Sequence, residues 1–141
     1  MAISVAVPVG QKTADALIEK LVPRIEALKV GPYTGGNDVD YGPVITQASK
    51  DRINGLIASG VEQGANLVVD GRDFELQGYE DGFFVGPSMF DNVTKDMDIY
   101  KTEIFGPVLS TVRAQSYEEA IQLAIDHEYG NGTAIFTESG I

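Results

Sequence analysis

In the stretch Lys101-Thr102-Glu103-Ile104-Phe105-Gly106-Pro107-Val108, neighbouring residues do different physical jobs. The Glu103 carboxylate can accept hydrogen bonds from two adjacent hydroxyls, the pattern that a ribose diol presents. Phe105, two residues on, offers a flat apolar face. Gly106 lets the backbone come close to a ligand or take positive φ. Pro107 fixes φ and has no N–H to give, which suits the start of a strand better than its middle. On these residues alone two readings stay open. One is a loop before a strand, with a solvated Glu and a core Phe. The other is one wall of a ligand site.

The rest of the chain holds little that could do covalent chemistry. Cysteine is absent, which excludes disulfides, thiolate metal ligands and a thiol nucleophile. The single histidine, His127, falls near the end of an expected helix, where a polar ring suits the dipole. No Gly-x-Ser-x-Gly elbow accompanies it. No Gly-x-Gly-x-x-Gly follows a strand, so the chain carries no dinucleotide fingerprint of its own. Asn37-Asp38-Val39-Asp40 invites a calcium reading, but with Gly42 at the sharp turn the ligand slots hold Val39, Tyr41 and Ala48. No metal is expected, and no residue is assigned a catalytic role. Arg52, on an expected helix, reads as a solvated surface residue.

Bulk properties narrow the classes. With 141 residues the chain is one domain's worth, taken as a single domain over 1–141, and long enough for a real core. Apolar residues at 43% against 22% charged mark ordinary globular material rather than disorder. The net charge of −11 argues against an electrostatic grip on nucleic acid or anionic lipid. No apolar run approaches the ~18 residues of a membrane span. The apolar Met1–Gly10 segment lacks a basic flank and a cleavage site, so cytosol or an organelle matrix is the expected location.

The elements that must position these residues read as follows. Ser4–Val9 is expected as a strand. Thr13 caps a helix over Thr13–Val30, with Ala14, Leu17, Ile18, Leu21, Ile25 and Leu28 on one stripe and a kink at Pro23. Gly31–Gly42 is a loop. Thr46 caps a second helix whose stripe is Ile53, Leu56, Ile57 and Val61, ended by Gly64. Leu67–Val69 and Phe83–Val85 are expected strands, and Asp91–Asp98 a solvated connector. Val108–Val112 is a strand. Ser116-Tyr117-Glu118-Glu119 is a capping box opening a helix with Tyr117, Ala120, Ile121, Ala124 and Ile125 on its apolar face. Thr133–Thr137 is a further strand, which makes the last unit βαβ with two parallel strands. The fold class is α/β: a parallel-type sheet with flanking helices.

Several motifs, in order, resemble the aldehyde dehydrogenase superfamily. They are Met1-Ala2-Ile3-Ser4, Gly42-Pro43-Val44-Ile45-Thr46, Gly78-Tyr79-Glu80-Asp81-Gly82-Phe83-Phe84-Val85, Asp98-Ile99-Tyr100-Lys101, Glu103-Ile104-Phe105-Gly106-Pro107-Val108 and Tyr129-Gly130-Asn131-Gly132-Thr133-Ala134. The likeness runs the whole length and is greatest to the CoA-acylating methylmalonate-semialdehyde dehydrogenase branch. It implies part of a catalytic domain in which a cysteine thiolate attacks an aldehyde and hydride passes to NAD(P). The acyl group then leaves to water or CoA. In that branch the cysteine immediately precedes the stretch matching Met1–Ser4, and the general base, oxyanion-stabilising Asn and cofactor domain lie upstream.

By this resemblance Glu103 holds the nicotinamide-ribose hydroxyls, Phe105 packs by the nicotinamide ring, and Arg52 becomes a candidate neighbour of the cofactor's outer end, although the solvated surface reading is preferred. The cofactor of the intact enzyme would be NAD, with CoA a candidate co-substrate. The partners would be the remainder of an aldehyde dehydrogenase chain, an aldehyde and further copies in a homo-oligomer. The isolated chain is expected to be inactive, to bind no cofactor measurably and to expose an apolar patch that drives self-association. Two other classes stay open: a free-standing α/β module for binding or assembly, and an unrelated small acidic enzyme using carboxylates or His127.

Overall fold

The computed structural model describes residues 4–140. Its centre is a four-stranded sheet in the order β1-β4-β3-β2, built from Val5–Ala6, Val108–Thr111, Ser88–Asp91 and Asn66–Val69. β4 pairs parallel with β1 on one side and with β3 on the other, and β2 closes the far edge antiparallel to β3. Four helices accompany it: α1 (Gln11–Glu26), α2 (Gln47–Glu62), α3 (Asp98–Lys101) and α4 (Tyr117–Asp126). A 3₁₀ stretch, Tyr33–Asp38, lies in the expected loop. The α/β class holds, with one antiparallel edge.

β3 is the strand that sequence pattern missed, because Ser-Met-Phe-Asp is neither a long apolar run nor an alternation. All four of its residues are buried. Its polar ends are tolerated there because each finds a partner. Ser88 Oγ accepts the Gly71 N–H at 2.8 Å. Asp91 accepts from Arg113 at both oxygens, 3.0 Å from Nε and 2.8 Å from Nη2. Arg113 also reaches Asp15 on α1 at 2.8 Å, so one guanidinium joins β3, the end of β4 and α1. Hydrogen bonding to Asp91 raises its proton affinity further above an already high value. Asp91 is therefore no solvated connector. Residues 92–107 form the crossover from β3 to its parallel neighbour β4, and α3 lies within it.

The core lies between the sheet and α2. Ile53, Ile57 and Phe90 are fully buried, and Ile99, Ile104, Val85 and Val108 pack into the same cluster. Thr46 caps α2 as expected, its side chain accepting the Ser49 N–H at 3.1 Å. Gly64 follows the helix at φ 97, a turn that side-chain-bearing residues rarely make.

Other expectations change. α1 starts at Gln11, not at Thr13. The parallel pairing of β1 with β4 continues through a Val9–Ala114 bridge to Gly10, whose N–H bonds to Ala114 O at 2.9 Å and whose φ of 86 turns the chain into the helix. α1 stops at Glu26 because Lys29 and Val30 are drawn into contacts with Asp40 and Tyr41. Phe83–Val85 forms no strand. Phe84 and Val85 are buried side chains of a coil, and the Val85 carbonyl is taken by the Tyr41 hydroxyl at 2.9 Å, where burial pushes the phenol pKa up.

The βαβ unit through α4 does not form either. Both edges of β4 are already occupied by β1 and β3, and residues 128–140 run exposed without a ladder. Only the Ser116 half of the α4 capping box forms as expected; the Glu119 carboxylate turns to the residue before the cap. Ser116 Oγ accepts the Glu119 N–H, and Glu119 accepts from Gln115 N–H. Its apolar face stays largely open, with Tyr117 55% and Ile125 67% exposed.

Two stability tests follow from this packing. A Cβ at Gly71 would stand 2.1 Å from the Gly86 carbonyl oxygen, whereas one at Gly55 on α2 meets open space. Gly71→Ala should lower the unfolding free energy by about 3 kcal/mol and Gly55→Ala raise it by about 0.5–1 kcal/mol, read by urea denaturation. Arg113→Ala should cost about 3 kcal/mol by stranding the buried Asp91, while pairing Arg113→Met with Asp91→Asn should recover most of the loss.

Candidate functional site

The crossover that returns from β3 to β4 passes over α2 before it joins the sheet. Its last part, residues 102–107, is held there by the residues on either side of the two candidate side chains. Ile104 points into the core at 5% exposure. Gly106 lies so close to α2 that a Cβ would stand 2.6 Å from Ile53 Cδ1. Pro107 presents its carbonyl to the Ser88 N–H at 2.9 Å and thereby starts the β3–β4 pairing. The strand-start reading of Pro107 agrees with these contacts, whereas Gly106 is needed for close approach to Ile53 of α2 and not for positive φ.

Glu103 and Phe105 flank the buried Ile104 and point the other way. Glu103 is exposed, and its carboxylate has no hydrogen-bond partner among the described residues. Phe105 is 78% exposed, so it is not the core residue that one sequence reading made it. Its φ is 57, in the left-handed region. An aromatic residue is uncommon there and persists only where its surroundings enforce the conformation. An acceptor-only carboxylate with free lone pairs and an uncovered flat ring, two residues apart, suit a ribose diol and the planar ring it carries.

Position in the sheet matters as well. The loop leads into the amino end of β4. Because β1 is parallel to β4, with Val5 opposite Ser110 and the Ser4 carbonyl accepting the Ser110 N–H, the beginning of β1 lies at that same end. Met1, Ala2 and Ile3, which carried one of the motif matches, lie outside the described residues. The Asp91–Arg113 pair, at the last residue of β3 and just beyond β4, belongs to the opposite end.

Arg52 is exposed on the surface of α2, as expected, but its guanidinium is engaged by the 103–105 loop. From α2 it donates from Nη1 to the Glu103 carbonyl at 3.3 Å and from Nη2 to the Ile104 carbonyl. Nothing local in the sequence signals this, since the partners lie some fifty positions downstream.

His127 is engaged in a way that suits structure rather than catalysis. Its Nδ1 accepts the Tyr129 N–H at 3.0 Å, so Nε2 carries the proton and donates to the Tyr100 carbonyl at 2.6 Å. The Tyr100 ring stacks edge-on against it at 4.7 Å. No cluster of metal-ligating side chains occurs among the described residues. No helix among them is long and apolar enough to cross a membrane.

Comparison with known proteins bears on this geometry. The model of the aldehyde dehydrogenase family matches residues 1–140. The malonate-semialdehyde dehydrogenase of Pseudomonas aeruginosa is 61% identical over 140 residues, covering 99% of this chain and 28% of that protein. The acylating, mitochondrial methylmalonate-semialdehyde dehydrogenase of Arabidopsis thaliana is 51% identical over 142 residues, covering 99% of this chain and 23% of the relative. A Sinorhizobium meliloti 1021 protein assigned as a methylmalonate-semialdehyde dehydrogenase, crystallised with NAD, superposes with a TM-score of 0.94 at 65% identity. The match covers 99% of this chain and 28% of that one. The chain thus spans about a quarter of the length of the relatives it matches.

The division of labour within the loop can be tested directly. Ile104→Ala should cost about 2–4 kcal/mol in urea unfolding, as loss of a buried aliphatic side chain does. Phe105→Gly should leave stability unchanged within about 0.5 kcal/mol, because the exposed ring contributes little burial and glycine relieves the positive φ.

Proposed function

Because the chain belongs to the aldehyde dehydrogenase family, we propose that it forms the nicotinamide-ribose side of the active site in an NAD-dependent semialdehyde dehydrogenase. The observation that carries this reading is the paired outward display of Glu103 and Phe105 about the buried Ile104. Glu103 accepts hydrogen bonds from the two ribose hydroxyls and fixes the sugar. Phe105 lies against the nicotinamide ring and limits its tilt. NAD, when bound, accepts the hydride. The contribution of these residues is placement, since hydride transfer demands close and oriented approach.

This segment contains no cysteine and so supplies no thiolate itself. We assign the nucleophile, as the family resemblance implies, to the part of the enzyme preceding the stretch that matches Met1–Ser4. Relatives named as acylating make CoA the acyl acceptor we assign, and a malonate- or methylmalonate-type semialdehyde the substrate class. The exposed Tyr117, Ile125, Tyr129 and Phe136 are assigned to faces covered by the remainder of such an enzyme or by further copies in a homo-oligomer. Residues 1–141 act as one unit of a catalytic domain, and the location is cytosol or an organelle matrix. A free-standing module and a His127-based enzyme have less support, since the ring nitrogens of His127 are both committed to backbone groups.

The test exchanges this segment for the matching part of the 65%-identical Sinorhizobium meliloti protein. In that chimera Glu103→Gln should raise the KM for NAD about tenfold or more, the scale of a lost charge-assisted hydrogen bond. The KM for the semialdehyde should stay the same. An unchanged KM for NAD would refute the assignment.

A further inference from the structure

Glu103 and Phe105 are exposed, so their own side chains do not fix the direction in which they point. What fixes it is the backbone between them and its attachment to α2. Arg52 donates to the carbonyls of Glu103 and Ile104, two successive acceptors. The next helix residue, Ile53, receives Gly106 in direct contact. Phe105 lies between these two attachments, and it is there that the chain takes a φ of 57. The loop is thus pinned before and after a residue whose conformation is unfavourable unless imposed.

We propose that Arg52 is the positioning residue of this site: its guanidinium spans the Glu103 and Ile104 carbonyls, holds Phe105 in the left-handed region, and so sets the angle at which carboxylate and ring are presented together. The residue type suits the task. Guanidinium is planar, always charged, and offers donors in a rigid fork that can serve two neighbouring acceptors at once. A lysine ammonium on a flexible stem reaches one of them. Arg52 is itself exposed, so the clamp acts on the loop rather than on the core. The functional meaning of the clamp rests on the reading of Glu103 and Phe105 as the nicotinamide-ribose side; its geometric meaning does not.

The test uses NMR on the 141-residue chain, comparing wild type, Arg52→Gln, Arg52→Lys and Glu103→Gln. The one-bond Cα–Hα coupling reports the sign of φ at Phe105, and amide exchange reports order in residues 104–106. Arg52→Gln should abolish the positive-φ signature and speed loop exchange about tenfold, the scale of a lost charge-assisted hydrogen bond. The thermal midpoint and exchange in β3 and β4 should not change. Arg52→Lys should give intermediate values. In the chimera, Arg52→Gln should raise the KM for NAD severalfold and leave that for the semialdehyde unaltered. Wild-type φ and exchange in Arg52→Gln would overturn the proposal, as would a fall in global stability that accounts for the loop change. Glu103→Gln separates the two claims, because it should leave the loop signals as in wild type. If it also leaves the KM for NAD unaltered while Arg52→Gln still loosens the loop, the ribose reading fails and the clamp stands.

Discussion

Parallel pairing of β3 with β4 is the constraint on which the rest of the structure depends. Two antiparallel neighbours can be joined by a tight turn, but parallel neighbours require the chain to travel back the length of the sheet. Residues 92–107 make that journey. They cannot do so through solvent without losing Val93, Met97, Ile99, Tyr100 and Ile104 from the core. The crossover therefore lies down on α2, and its last turn before β4 becomes the surface that carries Glu103 and Phe105. The candidate site is a consequence of how the sheet is connected.

The same pairing puts polar residues of β3 where water does not reach, and at both ends of that strand the fold answers with specific partners. Asp91 ends a strand buried along its length, so a free carboxylate there would be costly; the Arg113 fork neutralises it and at the same time ties β4 to α1. Ser88 opens the same strand and is matched by the Gly71 N–H, with Gly71 and Gly86 backbones too close for any side chain between them. These contacts fix the register of β3 against β2 and β4, and register determines where the crossover must begin and end.

The two ends of the sheet thus have different characters. At the last residue of β3 and just beyond β4 an ion pair closes the structure. Ahead of β4 an unpartnered carboxylate and an uncovered ring are held by backbone contacts. Open polar and aromatic groups on a rigidly seated loop are what a binding surface needs, and a positive φ at an exposed phenylalanine has no stabilising purpose of its own.

Much of this was legible from residues alone, and the limit has a physical cause. Information within a helical turn or a short motif sufficed for the α/β class, the Thr46 and Ser116 caps, Ile53 and Ile57 of the α2 stripe (though not the exposed Val61) and the strand following Pro107. These depend on neighbours a few positions away. β3 was hidden because its burial is set by partners far along the chain, and Thr133–Thr137 looked like a strand because local propensity cannot know that both edges of β4 are taken. The role of Arg52 was hidden for the same reason: a guanidinium on an exposed helix face reads as solvated until the fold brings two carbonyls from residues 103 and 104 against it. Sequence determined that a carboxylate and an aromatic ring stand two residues apart; the parallel crossover decided that they face outward together, because only long-range pairing lays that loop on α2.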